Sequence, residues 1–383
     1  MTDVSIFGTC ESPFEDVREA FAANFRERGD VGAAVCIYVD GKPVVDLWGG
    51  YRDGTRSVEW TPDTIATTYS NGKGWIATCM HMLLDRGLIE LDAPVASYWP
   101  GFERHGKEGV LVRHILTHTA GLPAPSMRVP DEAIYDFDRM IEYVADSELF
   151  WQPGTKMGYH AATFGWLNGG VVQKVTGMTP GEFLCHEIAE PLGADLYWGT
   201  PPEYDGRTAE FLPPVPSDEP TRTQVSGAQS EMAKKAFNNP PRRFRAANTR
   251  EWRAAVIPAS NGHASARGLA RLYAALAGGG TLDGVPLMRP ETVDTARYEQ
   301  VSGIDVISGA EARRSFGYAL SMPGPDDSRG PSAFGHGGLG GSLGYADPDH
   351  RMSFGYVMNQ AGQNVDHRTS SLSAALYRCL GTR

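Results

Sequence analysis

Two short apolar runs near the start of the chain, residues 33–39 and 43–48, flank Asp40-Gly41-Lys42, a pattern that predicts an antiparallel hairpin closed by a glycine turn. Ahead of it, Ser12-Pro13-Phe14-Glu15 reads as a capped helix start, with Ser12 as N-cap, Pro13 at the first helical position and Glu15 completing a capping box. Val17, Phe21 and Phe25 form the apolar stripe of that helix. The chain is therefore expected to begin helix, strand, strand. Its end is related: residues 353–358 are strand-like, and Leu372, Leu376, Cys379 and Leu380 mark one face of a closing helix. The two ends are expected to share one sheet flanked by both terminal helices.

Between them the period changes. Trp75, Ile76, Met80, Leu83 and Leu84 recur at helical spacing and stop at Gly87. Further helices are predicted from Thr163 through Gln173, and from Ser265 through Leu276 to a Gly278-Gly279-Gly280 stop. Residues 201–256 differ, because Pro201, Pro202, Pro213, Pro214, Pro216, Pro220, Pro240 and Pro241 break any long element. The expected organisation is α+β: residues 1–65 and 290–383 form a lobe with an antiparallel sheet, 66–200 a mainly helical lobe, 201–256 a lid or insertion, and 257–289 a helical return to the sheet.

Composition narrows the class. With 383 residues, 41% apolar and 21% charged, the chain suits two packed lobes of an ordinary globular protein. No apolar run approaches the roughly 18 residues of a membrane span, so no membrane partner is expected. Met1-Thr2-Asp3-Val4-Ser5-Ile6 lacks the basic and apolar regions of a secretory signal. Five cysteines form no Cys-x-x-Cys pair, and together these facts predict a cytoplasmic protein without a disulfide framework. A net charge of −11 disfavours a nucleic-acid partner. The oligomeric state is not encoded in any of these features.

Chemistry first shows in Tyr69-Ser70-Asn71-Gly72-Lys73, which puts a hydroxyl and an amine on one face of a helix start. The backbone N–H of a serine placed there faces the position where an oxyanion would form. Three further segments accompany it: His114-Ile115-Leu116-Thr117-His118, Gly158-Tyr159-His160-Ala161, and Phe334-Gly335-His336-Gly337-Gly338-Leu339. In this order they resemble the motifs of the serine β-lactamase and penicillin-binding-protein superfamily, in its class C-like branch, and most closely those of family VIII carboxylesterases. The resemblance implies a β-lactamase-like fold and an acyl-enzyme on Ser70, with Lys73 and Tyr159 sharing the proton. It implies an oxyanion hole from the amides of Ser70 and Leu339, and a substrate wall at His336, Gly337 and Gly338. Ordinary values near 10 for tyrosine and 10.4 for lysine must fall by roughly three units for such a base, so the two groups are expected to titrate together.

Two departures steer the substrate. Where β-lactamases carry a lysine in the third motif this chain has His336, and where they carry an asparagine two residues after the tyrosine it has Ala161. A neutral imidazole and a methyl cannot hold a drug's carboxylate and acylamino group. The expectation is a serine carboxylesterase acting on a small-molecule ester with no cofactor, the alternatives being an acyltransferase, a β-lactam or amide hydrolase, and a non-catalytic binding protein. Gly340-Gly341-Ser342-Leu343-Gly344 matches Gly-x-Ser-x-Gly but runs into a turn rather than a helix. His114 and His118 have metal-like spacing without the glutamate of a zincin, so no metal is implied. Lys234, Lys235, Arg242, Arg243, Arg245, Arg250 and Arg253 form a basic cluster that reads as a solvated face or a reader of acidic substrates. Phe237, Phe244 and Trp252 in the same segment are candidate walls of an acyl pocket.

Overall fold

The hairpin forms as expected, and its two-residue turn shows why. Asp40 and Gly41 sit at φ 50° and 73°, the left-handed pair that matches the twist of a tight hairpin. The computed structural model describes residues 4–215, 230–241, 244–322, 324, 327–362 and 366–381, without the side chains of 244 and 245. In it, strands β1 (Ile6–Cys10), β2 (Gly32–Val39) and β3 (Lys42–Gly50) join β9 (Val301–Ile304), β10 (Glu311–Arg314), β11 (Ala319–Leu320), β12 (Phe334–Gly337), β13 (Leu343–Asp347) and β14 (Met352–Met358). They make one antiparallel sheet in the order β1-β3-β2-β14-β13-β12-β11-β10-β9. Residues from both ends of the chain pair at its centre, Phe354 opposite Ile37 and Tyr356 opposite Val35.

Both faces of that centre are covered, so β2 and β14 are buried along their whole length. Ser353 and Gly355 point to one face, where Ser353 Oγ donates to Ala270 O at 2.7 Å. A Cβ on Gly355 would lie 2.4 Å from Ala266 O, so the helix Ala266–Ala277 packs closer than any larger residue would permit. On the other face Tyr345 reaches Ser373 of the closing helix, His367–Gly381. That helix packs against α1 (Glu15–Glu27), as the terminal patterns predict.

Helix α2 (Gly72–Asp85) is buried from Gly72 to Leu83 and carries the helical side of the molecule, packed against α3 (Thr163–Thr176). A second small sheet, ordered β4 (Ala66–Tyr69), β6 (Gly262–Ala264) and β5 (Leu196–Tyr197), delivers the chain to the start of α2. A further hairpin joins β7 (Thr281–Leu282) to β8 (Val285–Pro286).

Two local expectations fail. Ser12 caps nothing: residues Ser12–Phe14 make a separate 3₁₀ turn that sinks Phe14 into the core, and α1 begins only after it. The chain also begins with a strand rather than a helix, because β1 pairs along the sheet edge through backbone bonds that leave its side chains largely exposed.

Arg368 ties these parts together from inside. Its side chain is 1% exposed and donates to Asp30 Oδ1 (2.6 Å), Gly340 O (2.6 Å), Gln360 O (2.9 Å) and Asp366. Asp30 also accepts from Tyr356 OH at 2.5 Å. Removing one partner of such a pair leaves a buried charge, so Arg368→Met should destabilise the fold by about 3–5 kcal/mol. Urea unfolding with an unchanged m-value would measure this, and a loss below about 1 kcal/mol would show that the pair does not hold the fold.

Candidate active site

Ser70 is presented by a sharp bend. Tyr69 closes β4 at φ 47°, a left-handed conformation that a bulky residue adopts only when its surroundings enforce it. The enforcement is visible: its ring packs on Phe211 at 5.0 Å and on Trp252 at 6.2 Å. The bend leaves Ser70 part-exposed immediately before α2, with Lys73 in the first turn and wholly buried.

Three acceptors meet the Lys73 ammonium, Ser70 Oγ at 3.0 Å, Ala161 O at 2.8 Å and Ala259 O at 3.1 Å. Tyr159 OH donates to the same Ser70 oxygen at 3.0 Å, and the Lys73 nitrogen lies 4.7 Å from the centroid of its ring. The nucleophile, amine and phenol named from sequence are therefore brought together. The backbone N–H of Tyr159 is fixed in turn by the buried carboxylate of Asp305, at 3.0 Å.

Three imidazoles surround this group, and all are neutral at physiological pH. His160 donates from Nδ1 to Gly158 O at 2.6 Å and accepts at Nε2 from the Leu122 N–H at 3.1 Å, while burial lowers its pKa to about 4. His118 accepts at Nδ1 from the His160 N–H at 3.0 Å, and burial followed by the charge of Arg314 holds it well below the usual histidine range. His336 donates from Nδ1 to Gly337 O at 2.6 Å and is held well below that range by burial and then by Lys73. Its Nε2 is buried with no partner among the described residues, and its ring stacks on Tyr159 at 6.3 Å.

The turn after β12 lies against the strand that carries Ser70. A Cβ on Gly338 would stand 1.9 Å from Thr68 O and 2.3 Å from Ser342 Oγ, so this glycine serves close backbone approach. A Cβ on Gly337 would make only ordinary contacts, with Ser342 O at 3.6 Å and Leu343 at 3.8 Å, so no close approach requires glycine there. Leu339 follows, 50% exposed, and among the described residues neither its N–H nor that of Ser70 has an acceptor.

Other candidates separate from the site. Ser342 is buried and donates to Thr68 O at 3.1 Å, tying the turn before β13 to β4, with no base beside it among the described residues. His114 accepts the Leu111 N–H at 3.1 Å, and so it and His118 serve different backbone segments. Trp252 is buried against Tyr69. The Phe244 side chain lies outside the described residues, as do Arg242, Arg243 and the Arg245 side chain. Arg250 and Arg253 both pair with Asp205, at 2.6 and 2.8 Å, and Lys234 pairs with Glu231. Among the described residues the one cluster able to hold a metal is Cys185, His186 and Glu190, largely exposed and bonded to one another.

A family model described as Beta-lactamase matches residues 21–377. The chain belongs to this family. Within it, the chain is 36% identical to "Esterase/beta-lactamase LipL" of Mycobacterium tuberculosis over 372 residues, covering 93% of this chain and 83% of that protein. A crystal structure of a family VIII carboxylesterase superposes with TM-score 0.91 at 40% identity, over 98% of this chain and all of the other. A penicillin-binding-protein homologue from Caulobacter crescentus gives TM-score 0.90 at 35% identity over the same share of this chain. The β-lactamase-like α+β fold expected from the motifs is thus the fold observed.

Sequence reasoning missed Asp305, Arg314 and the Ala259 carbonyl. A backbone oxygen carries no residue signature, and charged residues at or just past the ends of partly exposed strands look like any solvated ones. If Tyr159 and Lys73 move the proton, Tyr159→Phe should lower kcat by about 10²–10⁴-fold with little change in KM, since the ring remains. Lys73→Met should be at least as damaging, and a Tyr159→Phe enzyme within about threefold of wild type would reduce the phenol to a packing element.

Proposed function

We infer that this chain is a serine carboxylesterase that hydrolyses short-chain esters through an acyl-enzyme on Ser70. One observation carries the reading: the Lys73 ammonium and the Tyr159 hydroxyl both sit 3.0 Å from the Ser70 oxygen. Ser70 attacks the acyl carbon, its proton passes to the Lys73–Tyr159 pair, and the alcohol departs with that proton. Water then enters and attacks the acyl carbon as Tyr159 takes its proton, and that proton passes to Ser70 Oγ as the bond to the acyl group breaks and the carboxylic acid leaves. The developing oxyanion lies between the amides of Ser70 and Leu339, each such donor being worth about 2.7–4 kcal/mol where measured. His336 Nε2, without a hydrogen-bond partner among the described residues, would serve as an acceptor for water or substrate.

The neutral state of His336 and the methyl of Ala161 support an ester rather than a β-lactam as substrate. Short-chain p-nitrophenyl esters should exceed nitrocefin in kcat/KM by more than about 100-fold, because a site lacking the matching polar groups does not compensate a drug's desolvation. Comparable values for the two classes would overturn the ester assignment. Adding an alcohol to the same assay separates hydrolysis from acyl transfer by the ratio of acid to new ester.

We propose further that helix α4 (Glu231–Asn238) roofs the acyl pocket. Its Ala233 and Ala236 form a small separate core with Trp151 and Ile307, and Phe150, Tyr159, Met232 and Phe237 pack around it. Apolar residues at 232, 233, 236 and 237 lie on one helical face beside the phenol. Phe237→Ala should therefore shift the preferred acyl length upward with a small change in melting temperature. Trp252→Ala, by contrast, should cost about 3–5 kcal/mol of stability with the acyl preference unchanged. A reversal of these two outcomes across a p-nitrophenyl ester series would return Trp252 to the pocket wall.

A further inference from the structure

Arg314 reaches the site from the end of β10, one strand in from the edge of the large sheet. Its guanidinium carbon lies 5.1 Å from the centroid of the Tyr159 ring, and its side chain is 11% exposed. One nitrogen pairs with Asp305 at 3.3 Å, while Nε is buried with no hydrogen-bond partner among the described residues. Asp305, whose side chain is fully buried, accepts the N–H groups of Tyr159, Ile307 and Ser308, each at 3.0 Å. The carboxylate end of the pair thus holds the backbone of Tyr159, and the guanidinium end faces its ring. A buried ion pair is a poor device for stability alone, since packed apolar groups often do as well. Its placement around one residue calls for a reason at that residue.

We propose that the Asp305–Arg314 pair positions Tyr159, and that Arg314 is a second cation which, with Lys73, favours the phenolate of that residue. This rests on the assignment of Tyr159 as a base. The titratable groups facing the ring among the described residues are consistent with it. Lys73 Nζ lies 4.7 Å from the ring centroid and the Arg314 guanidinium carbon 5.1 Å. His118, with ring centroids 5.1 Å apart, and His336, at 6.3 Å, are neutral, as is the adjoining His160. Asp305 supplies the opposing negative charge from the backbone side. A phenol that works as its conjugate base gives activity that rises with pH through its pKa, and a nearby cation lowers that pKa. Loss of Arg314 must therefore move the acid limb of kcat/KM to higher pH, and loss of the Asp305 charge must move it to lower pH.

The experiment is the pH profile of kcat/KM for p-nitrophenyl butyrate in Arg314→Met, Arg314→Lys and Asp305→Asn, with kcat, KM and melting temperature recorded for each. Opposite charges at this range move a pKa by about 1–3 units, so Arg314→Met should raise the acid limb by about one unit, the neighbouring carboxylate reducing the effect. KM should change little and Arg314→Lys should recover most of the shift. Asp305→Asn keeps an oxygen for the three N–H groups and should lower the limb. The inference is overturned if both residues shift the limb in the same direction, or if the limb stays within about 0.2 unit of wild type while only the melting temperature falls. Should Arg314→Met fail to fold, the downward shift in Asp305→Asn decides the matter alone. Tyr159→Phe separates the two levels of the argument. If its residual activity keeps the wild-type acid limb, the base assignment itself fails; if the limb disappears there yet ignores Arg314 and Asp305, only the positioning inference fails.

Discussion

A lysine ammonium removed from water must find its hydrogen-bond acceptors inside the protein, and the site is arranged around that demand at Lys73. Two of its acceptors are backbone carbonyls, Ala161 O and Ala259 O, and the third is the Ser70 hydroxyl. A buried cation without acceptors costs far more than any one hydrogen bond returns, so the three segments that carry these oxygens are held in register by one nitrogen. The same hydrogen bond that satisfies the charge fixes the Ser70 oxygen, which also lies 3.0 Å from the Tyr159 hydroxyl. Tyr159 is bound into the arrangement because Ala161, two residues later, supplies one of the two carbonyls.

Around this centre the structure separates charge from neutrality. Burial keeps His118, His160 and His336 uncharged, and hydrogen bonds from their ring nitrogens or to them fix backbone around the tyrosine. The bend at Tyr69 is a second element of preorganisation. Its left-handed backbone is buttressed by Phe211 and Trp252, so an aromatic far along the chain acts on Ser70 through the residue before it. The turn carrying Leu339 is anchored in the same way: Gly338 touches Thr68, and Arg368 grips Gly340 O from the core.

What was legible in the sequence was what is local or repeated. Ser70 and Lys73 are three apart on one helix face, the hairpin turn has its glycine, and residues 353–358 carry enough β-branched and aromatic side chains to read as the strand whose two faces are covered. The features that escaped depend on distant partners. Arg314 and Asp305 act on a tyrosine about 150 positions earlier, and their sequence neighbourhood is that of ordinary, partly exposed strands. Strand β1 is held by backbone bonds that leave little side-chain pattern. Ser12 has every mark of a cap, yet the gain from sinking Phe14 into the core starts a tighter turn one step earlier. Aromatic content alone could not say that Trp252 buttresses a bend while Phe237 packs on the small cluster that Tyr159 also contacts.

The central claim is that the oxygen shared by Lys73 and Tyr159 is the nucleophile. Labelling with a fluorophosphonate followed by peptide mass spectrometry tests it most directly, in the wild type and in Ser70→Ala and Ser342→Ala. The account predicts a single adduct on Ser70, lost in Ser70→Ala and retained in Ser342→Ala. An adduct on Ser342, or undiminished labelling in Ser70→Ala, would contradict it.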